Sequence, residues 1–314
     1  MRKLLSLSVF IFFTLTYAAW ACDSCLLQRV GRDTGAVTSG SEDGKFLFKY
    51  WFERQEWEYI DPDVAHDLHH DGHHVHVKTE EDVHHFDFGY EWTENFMTTI
   101  DLPYVRRGSL DIHDHATLGN EYISEGWGDA TVTAAYDVWK ESSQKASVIA
   151  GVKLPTGETQ ELNPQGERFE AELQPGTGSD DYLFGGVYRR TFENFDVTAN
   201  AIYTFKTEGD QNYEFGDVFS TTLFVDYIPA QDSVFKNVRP GLILSFKDEA
   251  KHQEDGAKIS DSGGTTVFLG PEISVVAHDN VDLFANVQWP VYQELGGVHQ
   301  EMDLMWNAGV KVSW

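Results

Sequence analysis

Six histidines, His66, His69, His70, His73, His74 and His76, fall within eleven residues and alternate with Asp67 and Asp71. Imidazole is the usual protein ligand for zinc, copper and nickel, and mixed imidazole and carboxylate sets suit zinc. A second group, Asp111, His113, Asp114 and His115, follows some forty residues on, and His84 and His85 stand between the two. The chemistry these residues offer is capture of a divalent transition-metal ion, with zinc, copper or nickel the ions to expect. The plainer alternative is an exposed, soluble loop whose weak metal affinity has no consequence. A repetitive tract lacks the oriented outer partners that fix ring tautomers in a dedicated centre, so it fits a collector better than an active centre.

Cys22 and Cys25 form a C-x-x-C pair followed by Leu26, which excludes c-type haem attachment because His must follow there. In an oxidising compartment the pair reads as a local disulfide. A thiolate metal site or lipidation of Cys22 are the alternatives, and the pair offers a place for a periplasmic partner. For catalysis there is little: neither G-x-S-x-G nor H-E-x-x-H occurs, and His278 and His299 have no motif around them. The expectation is a protein that is not an enzyme and requires no cofactor.

The compartment follows from the first residues. Arg2 and Lys3, the apolar run over 4–15 and the small-x-small site Ala19-Trp20-Ala21 read as a secretory signal over residues 1–21. A formal net charge of -28, from 51 acidic and 23 basic residues, argues against nucleic-acid binding, since no basic patch could dominate such a field. After residue 21 no run is apolar for the ~18 residues that a membrane helix needs. An exported chain can still span a membrane as a closed barrel, in which every backbone group is satisfied between strands.

Periodicity supports that solution. In MDLMWNAGVKVSW (302–314) one parity, Leu304, Trp306, Ala308, Val310, Val312 and Trp314, is wholly apolar, and the other is mostly polar or small. This is the period of a strand with lipid on one side and a polar lumen on the other. The pattern recurs and predicts twelve strands, over 45–57, 83–92, 96–104, 129–139, 146–154, 182–191, 195–205, 218–228, 238–246, 266–277, 281–291 and 302–314. Long connections (61–81, 106–127, 155–180, 207–216, 248–264 and 292–301) alternate with short turns, the loop asymmetry of outer-membrane barrels. The 14% aromatic content suits girdles of Phe, Tyr and Trp at both lipid interfaces. The expected fold is thus all-β, a transmembrane antiparallel up-and-down barrel over residues 45–314, preceded by a periplasmic or lumenal segment over 22–44. Outer-membrane lipid of a Gram-negative cell is its expected surrounding.

If the apolar parity meets lipid, the other parity lines the lumen: Lys49, Glu53, Asp87, Glu91, Asp101, Lys153, Arg239, Lys247, Glu272, Asp282, Asp303 and Lys311, with Asp137, Asp196 and Asp226. Both signs are present, as in a polar pore whose charges select solutes or in an interior braced by its own side chains. Arg189 and Arg190 are adjacent, so one of them must face outward near the periplasmic turn.

The segments GVKLPTG (151–157), LQPGTGSDDYLFGG (173–186) and VQWPVYQELGG (287–297) resemble those of outer-membrane barrel transporters grouped with the meta-pathway of phenol degradation. Cys22-x-x-Cys25 resembles a subset of that group. The resemblance implies an outer-membrane barrel with a transport role, and no substrate-binding residue is carried over from it. Pro and Gly in the first two segments would bracket the acidic loop 155–180, the best candidate to fold inward as a constriction. The function expected is an outer-membrane channel for a small solute or metal ion, with a metal-collecting outer loop. Its rivals are a non-conducting metal-binding or redox-linked barrel and a channel for hydrophobic aromatic compounds.

Overall fold

The computed structural model describes residues 44–61, 63–64, 66–67, 77–114, 117–297 and 300–314. The signal, Cys22 and Cys25 lie outside the described residues. Sixteen strands form among those residues: β1 (Lys45–Trp57), β2 (Lys78–Thr93), β3 (Phe96–Asp114), β4 (Thr117–Trp127), β5 (Ala130–Glu141), β6 (Gln144–Leu154), β7 (Asp181–Thr191), β8 (Phe195–Phe205), β9 (Tyr213–Glu214), β10 (Val218–Tyr227), β11 (Val238–Glu249), β12 (Gln253–Glu254), β13 (Ala257–Lys258), β14 (Gly264–His278), β15 (Val281–Leu295) and β16 (Met302–Ser313). Twelve of them close a single antiparallel barrel in the order β1, β2, β3, β5, β6, β7, β8, β10, β11, β14, β15, β16. The β1–β16 seam runs from Leu47 opposite Ser313 to Trp57 opposite Met302. It is finished by paired bonds, Phe46 N–H to the Trp314 carbonyl at 2.8 Å and Trp314 N–H to the Phe46 carbonyl at 3.0 Å. Closure leaves no barrel edge unpaired, which the hydrocarbon interior demands.

Side chains sort by parity. Outward on β1 and β2, aromatic rings meet across the strands: Phe46 with Tyr90 at 4.6 Å, Phe48 with Phe88 at 5.3 Å and Tyr50 with Phe86 at 5.4 Å between centroids. These cross-strand pairs stabilise the wall beyond the area they cover. On the same face, Arg54 meets Asp82, at 3.1 Å, and Glu80. The apolar belt therefore gives way to charge above Phe52 and His84, at the level where headgroups replace hydrocarbon. At the other end Arg190 turns outward, 4.9 Å over the Phe192 ring, while Arg189 turns inward and donates from Nε to Asp196 at 2.9 Å.

The twelve expected strands are the twelve barrel strands, and β1 and β8 have the expected bounds. The second long connection is different. Residues 106–127 were expected as a loop, but β3 continues to Asp114 and β4 pairs back along it from Tyr104 opposite Trp127 to Asp114 opposite Thr117. Arg106 and Arg107 are adjacent and the residues after them do not sustain an alternation of apolar with polar, so the sequence carries no period-two signal although the hydrogen-bond ladder persists. Loops 207–216 and 248–264 also hold structure, since β9, β12 and β13 join in a small separate sheet.

Candidate functional site

The inward parity builds the candidate site. On β1 and β2, Lys49 lies 2.8 Å from Asp87, and the Trp51 indole N–H donates to the same carboxylate at 3.2 Å. One rung higher His85 stacks on Trp51, and its Nδ1 is 3.1 Å from Asp101 on β3. Trp51 is fully buried, and Lys49, Glu53, His85, Asp87 and Asp101 are nearly so. The imidazole thus joins three strands at one height. His84, of the opposite parity, faces outward and shares a 2.9 Å hydrogen bond with the Tyr50 hydroxyl.

The wall from β5 to β8 is braced in the same way. Lys153 reaches Asp181 at 2.7 Å and Asp129 at 3.4 Å, and Lys206 meets Asp181 at 3.3 Å. Lys145 pairs with Asp137 at 2.8 Å. On the remaining strands Lys247 pairs with Glu249 at 2.7 Å and Lys311 with Asp282 at 3.7 Å. Uncharged amides fill the space between: Asn286 donates to Asn307 at 2.8 Å, and Ser245 donates to Gln288 at 3.1 Å. Arg239, Glu91 and Glu272 also stand on the inward parity, Glu272 buried and the other two partly so. Asp303 does not: the ladder shifts at Trp57 opposite Met302, and Asp303 is left exposed beside that bulge. A one-residue irregularity is enough to move a side chain off its expected face.

Two inward features were missed in the sequence. Ala135, Ile149, Leu183, Val187, Ile202 and Val218 form a buried apolar cluster, and Trp51, Phe268, Met302 and Met305 form a second. Each strand contributes only one or two of these residues, so no single stretch announces them.

The outer mouth is organised by residues 155–180. At the base, the Asp129 carboxylate accepts from the Gly157 N–H at 2.8 Å, and from the Thr177 N–H at 2.8 Å and hydroxyl at 2.7 Å. The two limbs of the loop touch backbone to backbone there, since a Cβ on Gly157 would lie 2.7 Å from the Gly176 Cα. Further along, Arg107 of β3 pairs with Glu81 and donates to the carbonyls of Glu172 and Gln174. Phe169 and Gln174 are buried beneath the loop. Arg168 and Thr159 both bond Asp210, holding its carboxyl down at about 2.

At the far side Tyr213 donates to Glu172 at 2.6 Å and lies 2.6 Å from His252 Nδ1, whose Nε2 is 3.1 Å from Glu249. His252 is fully buried. Burial alone would favour the neutral ring, but the hydrogen bonds and charges of Glu172 and Glu249 outweigh it and raise His252 to about 9. Burial and the same carboxylates push the Tyr213 phenol up.

Of the expected metal ligands, His66 lies in a short helical turn with Nδ1 3.9 Å from Asp67. His69, His70, His73, His74, His76 and His115 lie outside the described residues. The backbone of His113 is in β3. Among the described residues no group of three or more His, Cys, Asp or Glu is placed to hold a metal ion.

A closed twelve-stranded wall, apolar outside and charged inside, with long loops at one end, defines an outer-membrane β-barrel. Residues 74–296 match the family described as "Putative MetA-pathway of phenol degradation", and the chain belongs to that family. Among solved structures it is similar to an outer membrane channel from Pseudomonas putida F1, with 16% identity over 89% of this chain and 98% of that one and a TM-score of 0.65. It is also similar to the β domain of the Bordetella autotransporter BrkA, with 12% identity over 87% of this chain and 100% of that one and a TM-score of 0.50. No curated protein matches the sequence.

Proposed function

We propose that the protein is a channel of the Gram-negative outer membrane, passing small polar solutes with a preference for cations. The observation that carries this reading is the sign of the inward parity. Glu53, Glu81, Glu91, Asp87, Asp101, Asp129, Asp137, Asp181, Asp196, Asp226, Glu249, Glu272 and Asp282 outnumber Lys45, Lys49, Arg107, Lys145, Lys153, Arg189, Lys206, Arg239, Lys247 and Lys311. Charged linings select by sign, and a net charge of -28 on the chain concentrates cations at its surface. The similarity to an outer membrane channel supports the architecture this function needs.

The test is a reversal potential across planar bilayers holding the refolded protein in a potassium chloride gradient. A cation-selective potential is expected. Anion selectivity would overturn the solute class, and silence from folded protein at every voltage would overturn the channel. In that event the dense internal pairing would be bracing, and the protein a non-conducting barrel.

The histidine tract extends the proposal. It lies in the connection from β1 to β2, at the long-loop end, where captured zinc, copper or nickel would stand at the entrance. Zinc added on that side is expected to lower or modulate conductance, and replacing the six tract histidines by serine is expected to remove the effect.

A further inference from the structure

Resting on the channel reading, we propose that Glu172 is the positioning residue that holds loop 155–180 as a strap across the outer mouth, and so sets the width available to solutes. The argument begins with the ring of strands. Counting round the barrel from β1, β3 is third and β11 is ninth of twelve, so the two stand on opposite walls. The Glu172 carbonyl accepts from Arg107 of β3 at 3.0 Å. Its carboxylate accepts from the Tyr213 hydroxyl at 2.6 Å and lies 3.3 Å from His252 Nδ1, and His252 is tied to Glu249 at the end of β11. One residue of the β6–β7 connection is therefore fastened to both sides of the mouth.

The two fastenings differ in kind. On the β3 side the strap contributes only backbone carbonyls, which any residue provides. Toward the far wall the strap contributes side chains: Arg168, Thr159 and Gln160 reach Asp210 in the β8–β10 connection, and Glu172 reaches Tyr213 and, beyond it, His252 of the β11–β14 connection, entering a relay with consistent polarity. A protonated His252 donates from Nε2 to Glu249 and from Nδ1 to the Tyr213 oxygen, and Tyr213 donates onward to Glu172. The His252 backbone N–H donates to the Ser262 hydroxyl at 2.9 Å, which holds the main chain that carries the ring. The charged groups around the relay are Glu249, with Lys247 and the buried Lys206 beside it, Glu172, and Glu254 near Tyr213. Removing the Glu172 carboxylate deletes the tie to Tyr213 and His252 while leaving the Asp129 clasp, the Arg107 contacts and the Asp210 ties in place.

The experiment is amide hydrogen exchange over 160–174 in the refolded barrel, run beside single-channel recording, with folding checked by heat-modifiable migration. Glu172→Ala is expected to raise exchange of the strap about ten- to a hundredfold, the scale of losing charge-assisted hydrogen bonds, and to increase conductance or its fluctuation. Tyr213→Phe is expected to act in the same direction.

A pH series separates positioning from mere bulk. Because His252 is raised from an ordinary 6.5 to about 9, its contribution is complete below 6.5 and is lost as pH rises through 9. Wild-type strap exchange, corrected for its intrinsic pH dependence, is expected to step up over that interval, and His252→Gln is expected to abolish the step. Unchanged strap exchange in Glu172→Ala would overturn the proposal whether or not the protein conducts. Raised exchange with no wild-type conductance would retain the latch and reject the channel. Raised exchange with wild-type conductance unaltered in the variant would reject the role in setting the width.

Discussion

The indole of Trp51 lies flat on the imidazole of His85, with centroids 3.8 Å apart and planes 4° from parallel. The contact crosses from β1 to β2 on the inner face, and the Asp101 bond to His85 carries it on to β3. Trp51→Ala is expected to cost roughly 3–5 kcal/mol, as for large buried aromatics, in equilibrium urea unfolding from detergent micelles. His85→Phe retains a stacking ring but withdraws the partner of Asp101, and a smaller loss of about 1–3 kcal/mol is expected. A loss in Trp51→Ala no larger than that in His85→Phe would refute the expected contribution of the buried indole, its stack and its bond to Asp87 together.

Asp129 is the clasp of the mouth loop. Asp129→Ala strands two backbone donors, the Thr177 hydroxyl and part of the Lys153 charge, for an expected loss of about 2–3 kcal/mol. Gly157→Ala forces apart the two limbs that touch at Gly176. Limited proteolysis within 160–170 should quicken in both variants, and retention of wild-type resistance would refute the clasp.

Much of this architecture can be read from the chain, and the exceptions have a common cause. Wherever one face meets lipid, alternation marks the strand, as in β8, where Phe195, Val197, Ala199, Ala201, Tyr203 and Phe205 all point outward. Where the alternation lapses the cue vanishes, which is why β4 and the outer half of β3 were expected as loop. The site is less legible still. The motifs around Gly157 and Gly176 are visible as sequence, but their function is to let two limbs meet over Asp129, a contact that needs three segments brought together. Glu172 is one glutamate among several in an acidic loop, and only the arrival of Tyr213 and His252 distinguishes it.

Acid should act on a different tie. Asp210 is held down at about 2, first by Arg168 and then by Thr159, below its ordinary 3.8. Its contribution is present above 3.8 and is lost as pH falls through 2. Strap cleavage by an acid-active protease should accelerate between pH 4 and pH 2 relative to cleavage at other loops, and Asp210→Asn should be fast throughout that interval.

Selectivity should follow the inward carboxylates. Replacing Glu53 of β1 and Glu272 of β14, three strands apart round the wall, together by glutamine removes two inward negative charges with little change of shape. The reversal potential in a salt gradient should move toward the anion side. No movement would place the selecting charges elsewhere, at the mouth.

The seam between β1 and β16 has a consequence in time. Its partners, such as Lys49 and Lys311, stand more than 250 residues apart in the chain, whereas the other strand pairs of the wall are near neighbours in sequence. Loop-closure entropy delays contacts of such separation, so hairpins can zip one after another while the ring is still an open sheet. The seam is then the final commitment of assembly. Until it forms, two long edges rich in aromatic side chains stand exposed, and the interval before closure is when the chain is most in need of protection from its own copies.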